Sequence, residues 1–302
     1  MSLSIGQKAG WGLADMGIVV FVIVKQLLIL AFMNSFLGIP IAIAGAVTTA
    51  VLVFDIISDP IIGYFSDKTV SRFGRRAPWM LIGSVVLALA MIGLFAVPES
   101  FNINASLIWV IIFFLISTLG FTMVSIPYGA MAGEMTLDKK ERSSMTAWRM
   151  AFASLGILIG GALIPILAGD TRSGYTFATI CIAPLIILSI WFSVFFTRKT
   201  PRTLVPSQQN FSYILRLVLS NRAFITLVIL YGIMTLAIAL ITAGLPFAAM
   251  YLILDDGNSL LSGVAKGLGT LSLMFAAFVL GSIISQACLL YTSDAADERL
   301  RV

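Results

Sequence analysis

The sequence predicts an all-α polytopic membrane protein, and three observations predict it. Of its 302 residues, 59% are hydrophobic and 11% charged, where soluble domains carry about 25% charged residues; the mean hydropathy is +1.03. Apolar runs long enough to cross a bilayer, about 20 residues each, recur along the whole chain. The basic residues collect in alternate gaps between those runs, which is how orientation is written into a multi-span protein.

Eight runs qualify in order: 11–36, 41–65, 78–97, 107–132, 145–168, 175–196, 223–254 and 263–287. The first is too long for a cleavable leader and lacks a small-residue cleavage site, so it is expected to remain as a span. The gaps are short and polar, except for the long basic stretch 197–222. One set of gaps holds Lys8, then Lys68, Arg72, Arg75 and Arg76, then Lys139, Lys140 and Arg142, then Arg198, Lys199, Arg202, Arg216 and Arg222; the alternate set holds only Arg172 among acids. Basic loops stay in the cytoplasm, so the N-terminus is expected inside a cell (inner) membrane. The same topology accounts for the pI near 9.4, and no nucleic-acid partner is implied. Six spans, a cytoplasmic loop and further spans form the layout of a two-bundle transporter, whose six-span halves contain inverted three-span repeats.

The predicted organisation is a six-helix bundle over 1–196, a central loop over 197–222 and the first two helices of an incomplete second bundle over 223–287. Within the loop, 211–219 mixes apolar residues with Ser212 and Arg216, as a short helix on the membrane surface would. Residues 288–298, CLLYTSDAADE, break the last apolar run abruptly and resemble a translated sequencing adapter. The tail 288–302 is therefore expected to be non-native and the gene truncated.

There is no histidine, and neither metal-ligand spacing nor a nucleophile motif is visible. Composition thus argues against an enzyme and implies no cofactor beyond a coupling ion. What the sequence does carry is charge inside the spans. Such charge is costly and marks a pathway or a pair. Asp15 and Lys25 lie in the first span, Asp55 and Asp59 in the second, Arg149 in the fifth and Lys266 near the outer end of the eighth.

Asp55 and Asp59 are one helical turn apart, about 6 Å along the axis. Two carboxylates on one face repel, so one binds a proton or a cation lies beside them; the alternative is separate pairing with neighbouring bases. Pro60 frees a carbonyl next to Asp59. Lys25 is too deep to snorkel, and Asp55 is its expected partner. Arg149, some turns inside the fifth span, suits a hydroxyl pair or a carboxylate. Pro127, flanked by Ser125 and Tyr128, marks a place where the fourth span bends toward a cavity. Asp15, Lys25, Ser125, Tyr128 and Arg149 are the candidate substrate residues, with structural pairing the alternative for each charged one. After the second span come Gly63, Asp67, Lys68, Arg72, Gly74, Arg75 and Arg76. Asp67 can pair across this loop with the arginines and latch the cytoplasmic side in one state, or the bases merely fix topology.

The spacing G-x-x-x-D-K with R-x-G-R-R resembles the major facilitator superfamily signature. FDIISDPIIGYFSD, RFGRRAPWM, IPYGAM, EMTLDKKERS and SNRAF, in that order, resemble the glycoside–pentoside–hexuronide:cation symporters, of which melibiose permease is the best-known member. The resemblance runs from about Trp11 to Phe224. It implies a major facilitator fold of twelve spans, of which this chain would hold the first six-helix bundle and part of the second. It further implies symport of a sugar or related small polar solute with H+ or Na+, by a monomer in the lipid bilayer. The family's helix-two cation acids fall on Asp55 and Asp59, and its helix-five sugar arginine on Arg149. Its helix-one sugar aspartate falls on Val19, with Asp15 four residues earlier. Its helix-four acid falls on Ser125 and the following aromatic on Gly129. A galactoside site of the best-known type is thus incomplete, and a proton or a non-galactoside solute fits these departures better.

Overall fold

In the computed structural model of the chain, residues 3–69, 71, 74–169, 171–198, 200, 220–251, 277, 280 and 281 are described. Arg72, Lys266, the segment 211–219, the tail 288–302 and nearly all of the eighth apolar run lie outside the described residues. Seven described helices are long and apolar enough to cross a membrane, and no strand occurs among the described residues.

Local chemistry sets where each helix begins. Helix α1, Ile5–Ser35, starts at Ser4. The Ser4 Oγ accepts from the Gln7 amide at 3.3 Å and the Gln7 side chain accepts from the Ser4 amide at 3.0 Å, a reciprocal capping box. Helix α2, Ile41–Lys68, follows Pro40, and α3, Ala77–Phe95, carries Pro78 in its first turn, where proline's missing N–H costs nothing. Helix α4, Ile103–Met135, is capped by Asn102. Helix α5 runs through Lys139–Leu158, a π-helical turn at Ile159–Leu163 and then Ile164–Ala168. It stops at Gly169, whose φ of 54° is left-handed. Helix α6, Arg172–Thr197, is capped by Thr171, and α7 is Arg222–Tyr251.

Helices α1 and α5 each begin six residues before the predicted runs, at Ile5 rather than 11 and at Lys139 rather than 145. The polar stretch before Met145 is helical because Asp138 accepts from the Lys140 amide at 3.0 Å and Glu141 adds an acid to the first turn. Hydropathy reports where a helix enters lipid, not where it begins.

Helix α1 is the centre of the bundle and packs on α5 and α6, while α3 packs on α4 and α6 and α2 packs on α4. Exchanging α1, α2 and α3 for α4, α5 and α6 leaves these principal contacts in place, the pattern that two three-helix repeats produce. The described side chains of α7 are mostly exposed, and it meets the bundle at the C-terminal half of α1.

The α1–α5 contact is backbone against backbone. A Cβ added at Gly156 would lie 2.5 Å from the Met16 carbonyl oxygen, and one at Gly12 would lie 2.9 Å from the Arg149 backbone nitrogen. Small residues permit this approach between spans. Gly156→Val is expected to force α1 from α5 and cost about 1–3 kcal/mol, read as a lower melting temperature of purified protein. Gly45→Ala, where an added Cβ meets nothing within 4 Å, should melt as the parent does.

Candidate functional site

The polar residues of the spans gather into two groups inside the bundle and a third at its N-terminal end. The first group joins α1, α2 and α4. Lys25 Nζ lies 2.6 Å from Asp55 Oδ2, the partner expected for it. Thr122 Oγ1 of α4 donates to the other oxygen, Asp55 Oδ1, at 3.1 Å. Ser58 donates to the Asp55 carbonyl at 3.1 Å and lies 3.5 Å from the Thr122 hydroxyl. The Phe121 ring lies 5.8 Å from the ammonium. One turn along α2, the Asp59 Oδ1 atom is buried and meets no hydrogen-bond donor. Its electrostatic neighbours are Asp55, Thr122 and Lys25.

Lys25 sits within a π-helical turn of α1, Val24–Leu28. That turn touches the matching π turn of α5. Such turns carry an extra residue in the helical ladder, re-aim side chains and occur often at functional sites. Neither was visible in the sequence, because helices that are apolar all round give no periodicity from which to read a change of pitch.

The second group joins α1, α4 and α5. Arg149 Nε donates to Asp15 Oδ2 at 3.0 Å. The guanidinium also lies 5.6 Å from the centre of the Tyr128 ring, and that ring stacks on Trp11 at 4.8 Å. Trp11 Nε1 donates to the Tyr128 carbonyl at 3.4 Å. The result is a Trp–Tyr–Arg cluster pinned by a carboxylate. Asp15 Oδ1 and the Tyr128 hydroxyl are buried without a hydrogen-bond partner. The side chain of Asp15 is 3% exposed and that of Arg149 is 40% exposed, so the arginine keeps N–H groups turned toward open space beside an unused acceptor. Cation–π and aromatic stacking hold such a guanidinium in one orientation. A pocket of about 170 Å³ adjoins Trp11, lined also by Gly133, Arg142 and Thr146.

The two groups are separated along α1 by the ten residues from Asp15 to Lys25, about 15 Å of helix. Ser125 lies half-buried on α4 between Thr122 and Tyr128. Lys25, expected among the substrate residues, belongs by geometry to the carboxylate group instead. Val19 stands beside Gly156 in the α1–α5 contact. A Cβ at Gly129 would meet nothing within 4 Å.

The third group closes the N-terminal end. Arg76 Nη2 bonds Asp67 Oδ1 at 2.9 Å, as expected for that loop. Arg75 does not join Asp67. It pairs with Glu134 at the end of α4 at 2.6 Å, and Arg76 reaches the same carboxylate at 3.3 Å. Lys68 bonds the Tyr64 hydroxyl. Glu134, absent from the sequence-based candidates, is thus the acid that ties the α2–α3 loop to α4. Gly74 takes a φ of 94°, which a Cβ would strain, and so turns the chain between Asp67 and the arginines. Gly63 lies on α2, with Ile126 of α4 the nearest group to an added Cβ at 3.5 Å.

Comparison with known proteins adds to this geometry. Residues 10–293 match the family described as MFS/sugar transport protein. The chain is 30% identical over 202 residues to "Putative glycoside/cation symporter YagG" of Escherichia coli, an alignment covering 65% of this chain and 44% of the relative. It is 28% identical over 201 residues to the inner membrane symporter YicJ of the same organism, covering 65% and 44%. It is 28% identical over 238 residues to the uncharacterized symporter YjmB of Bacillus subtilis, covering 76% and 51%. The chain spans about half the length of the curated relatives it matches.

Proposed function

The chain belongs to the MFS/sugar transport protein family, and from that premise we propose that the whole protein is a cation-coupled symporter of a sugar or related small polar solute. The observation that carries the reading is Asp59. A carboxylate oxygen buried inside a span without a donor is costly, about 2.5–3.5 kcal/mol for an acid at a span centre, and a site that binds and releases a cation accounts for it. Nearby, the Asp15–Arg149–Tyr128 group offers N–H donors, an unused carboxylate oxygen and an unused hydroxyl. Those are the complements of a polyhydroxylated solute.

In this reading the bundle rocks against a second one about these groups. The N-terminal end faces the cytoplasm, and the Asp67–Arg76–Glu134–Arg75 network fastens α2, α3 and α4 there. Because the chain spans about half the length of the curated relatives it matches, transport is proposed of the whole protein.

The test is uptake by the complete protein in membrane vesicles, from a panel of labelled mono- and disaccharides. Accumulation of at least one should follow an imposed proton or sodium gradient and collapse when an ionophore dissipates it. Uptake that stops at equilibrium under every gradient makes the protein a uniporter. Movement outward against the solute gradient makes it an exporter. Binding of a labelled sugar without movement makes it a sensor.

A further inference from the structure

We propose that Lys25 sets the identity of the coupling ion: its ammonium holds the place on Asp55 that a sodium ion would need, so that the helix-two carboxylates exchange a proton and exclude sodium. The inference rests on Asp59 as the coupling carboxylate and goes beyond it by choosing the ion.

Consider what Asp55 has left to offer. Its Oδ2 lies 2.6 Å from Lys25 Nζ and its Oδ1 accepts from Thr122 at 3.1 Å. The Lys25 side chain is 10% exposed, so the ammonium is a fixed part of the interior. An ammonium is a compact point charge with three donors, and here it occupies the position of a small cation at the carboxylate. Hard metal ions are held by several oxygens at once. With Asp55 engaged on both oxygens, the carboxylate left in this group is that of Asp59, whose Oδ1 is buried without a partner. One carboxylate suffices to bind a proton; it supplies too few oxygens to hold a metal ion.

The charges of the six-helix bundle's spans point the same way. Asp15 is matched by Arg149 and Asp55 by Lys25, which leaves the single negative charge of Asp59. The groups that face Asp59 are Asp55 on its own helix, Lys25 of α1 and Thr122 of α4. One proton neutralises the set. The π-helical turn gives Lys25 its aim, since it places the lysine in the widened turn Val24–Leu28 of α1.

Sodium itself is the probe, with no substrate present. Purified complete protein is measured for saturable binding of radioactive sodium and for a melting shift in sodium chloride against choline chloride. The parent is expected to show neither. Lys25→Met should gain both, with protons competing, and Asp59→Asn in the Lys25→Met background should lose them again. Lys25→Arg keeps the positive charge and should stay blind to sodium. Saturable sodium binding by the parent overturns the proposal, and so does a folded Lys25→Met or Lys25→Gln protein that remains blind. Because the assay reads ion binding alone, its failure is distinct from a failure of gradient-driven uptake, which would remove the symport reading on which the proposal stands.

Discussion

Asp59→Asn in the complete protein abolishes gradient-driven accumulation while leaving exchange of labelled for unlabelled solute near the parental rate. Asparagine has nearly the shape of aspartate but takes up no cation, so the variant is locked in one charge state. It also removes a charge that costs about 2.5–3.5 kcal/mol at a span centre, so the protein is expected to fold at least as well as the parent. Loss of accumulation with exchange intact therefore reports lost coupling rather than lost structure. Accumulation that survives the substitution would sink the assignment of Asp59. Asp55 differs although it is only one turn away. Its carboxylate is already met by Lys25 and Thr122, and neutralising it strands a buried ammonium.

Much of this was legible in the sequence, for identifiable reasons. The spans were legible because lipid tolerates little else over such lengths. The Lys25–Asp55 pair was legible because a lysine that deep requires an acid. Asp67 and Arg76 are nine residues apart across one loop, close enough for spacing to suggest the bond. Asp15 and Arg149 are separated by 134 residues, and their meeting depends on the phase of α1 and α5. Both residues lie in regular α segments, but nothing in the sequence of either helix says which face turns toward the other. Trp11 was hidden for another reason: aromatic residues are common in spans, and only stacking geometry separates this one from packing. Glu134 was overlooked because it lies in a stretch rich in charge, where one more acid looks like solvated surface. A signal was present, since it ends α4 on the same side as the loop that holds Arg75 and Arg76.

Arg149→Ala has two effects that a second substitution pulls apart. The first is on the solute. Hydrogen bonds from a charged donor are worth about 1.5–3 kcal/mol, so losing the exposed guanidinium N–H groups should weaken solute binding roughly tenfold to a hundredfold. The second is on the fold. Asp15 is buried, with one oxygen already lacking a donor, and removing its only ion-pair partner among the described residues strands the charge at a cost of about 3–5 kcal/mol. Yield and melting temperature should therefore fall together with transport. Adding Asp15→Asn removes the stranded charge and should restore the melting temperature while binding stays weak. If the double variant recovers transport along with stability, the pair is structural and the solute binds elsewhere. If Arg149→Lys keeps parental affinity, the planar, stacked guanidinium on Tyr128 is not what the solute reads, because lysine supplies the charge without the fork or the stacking.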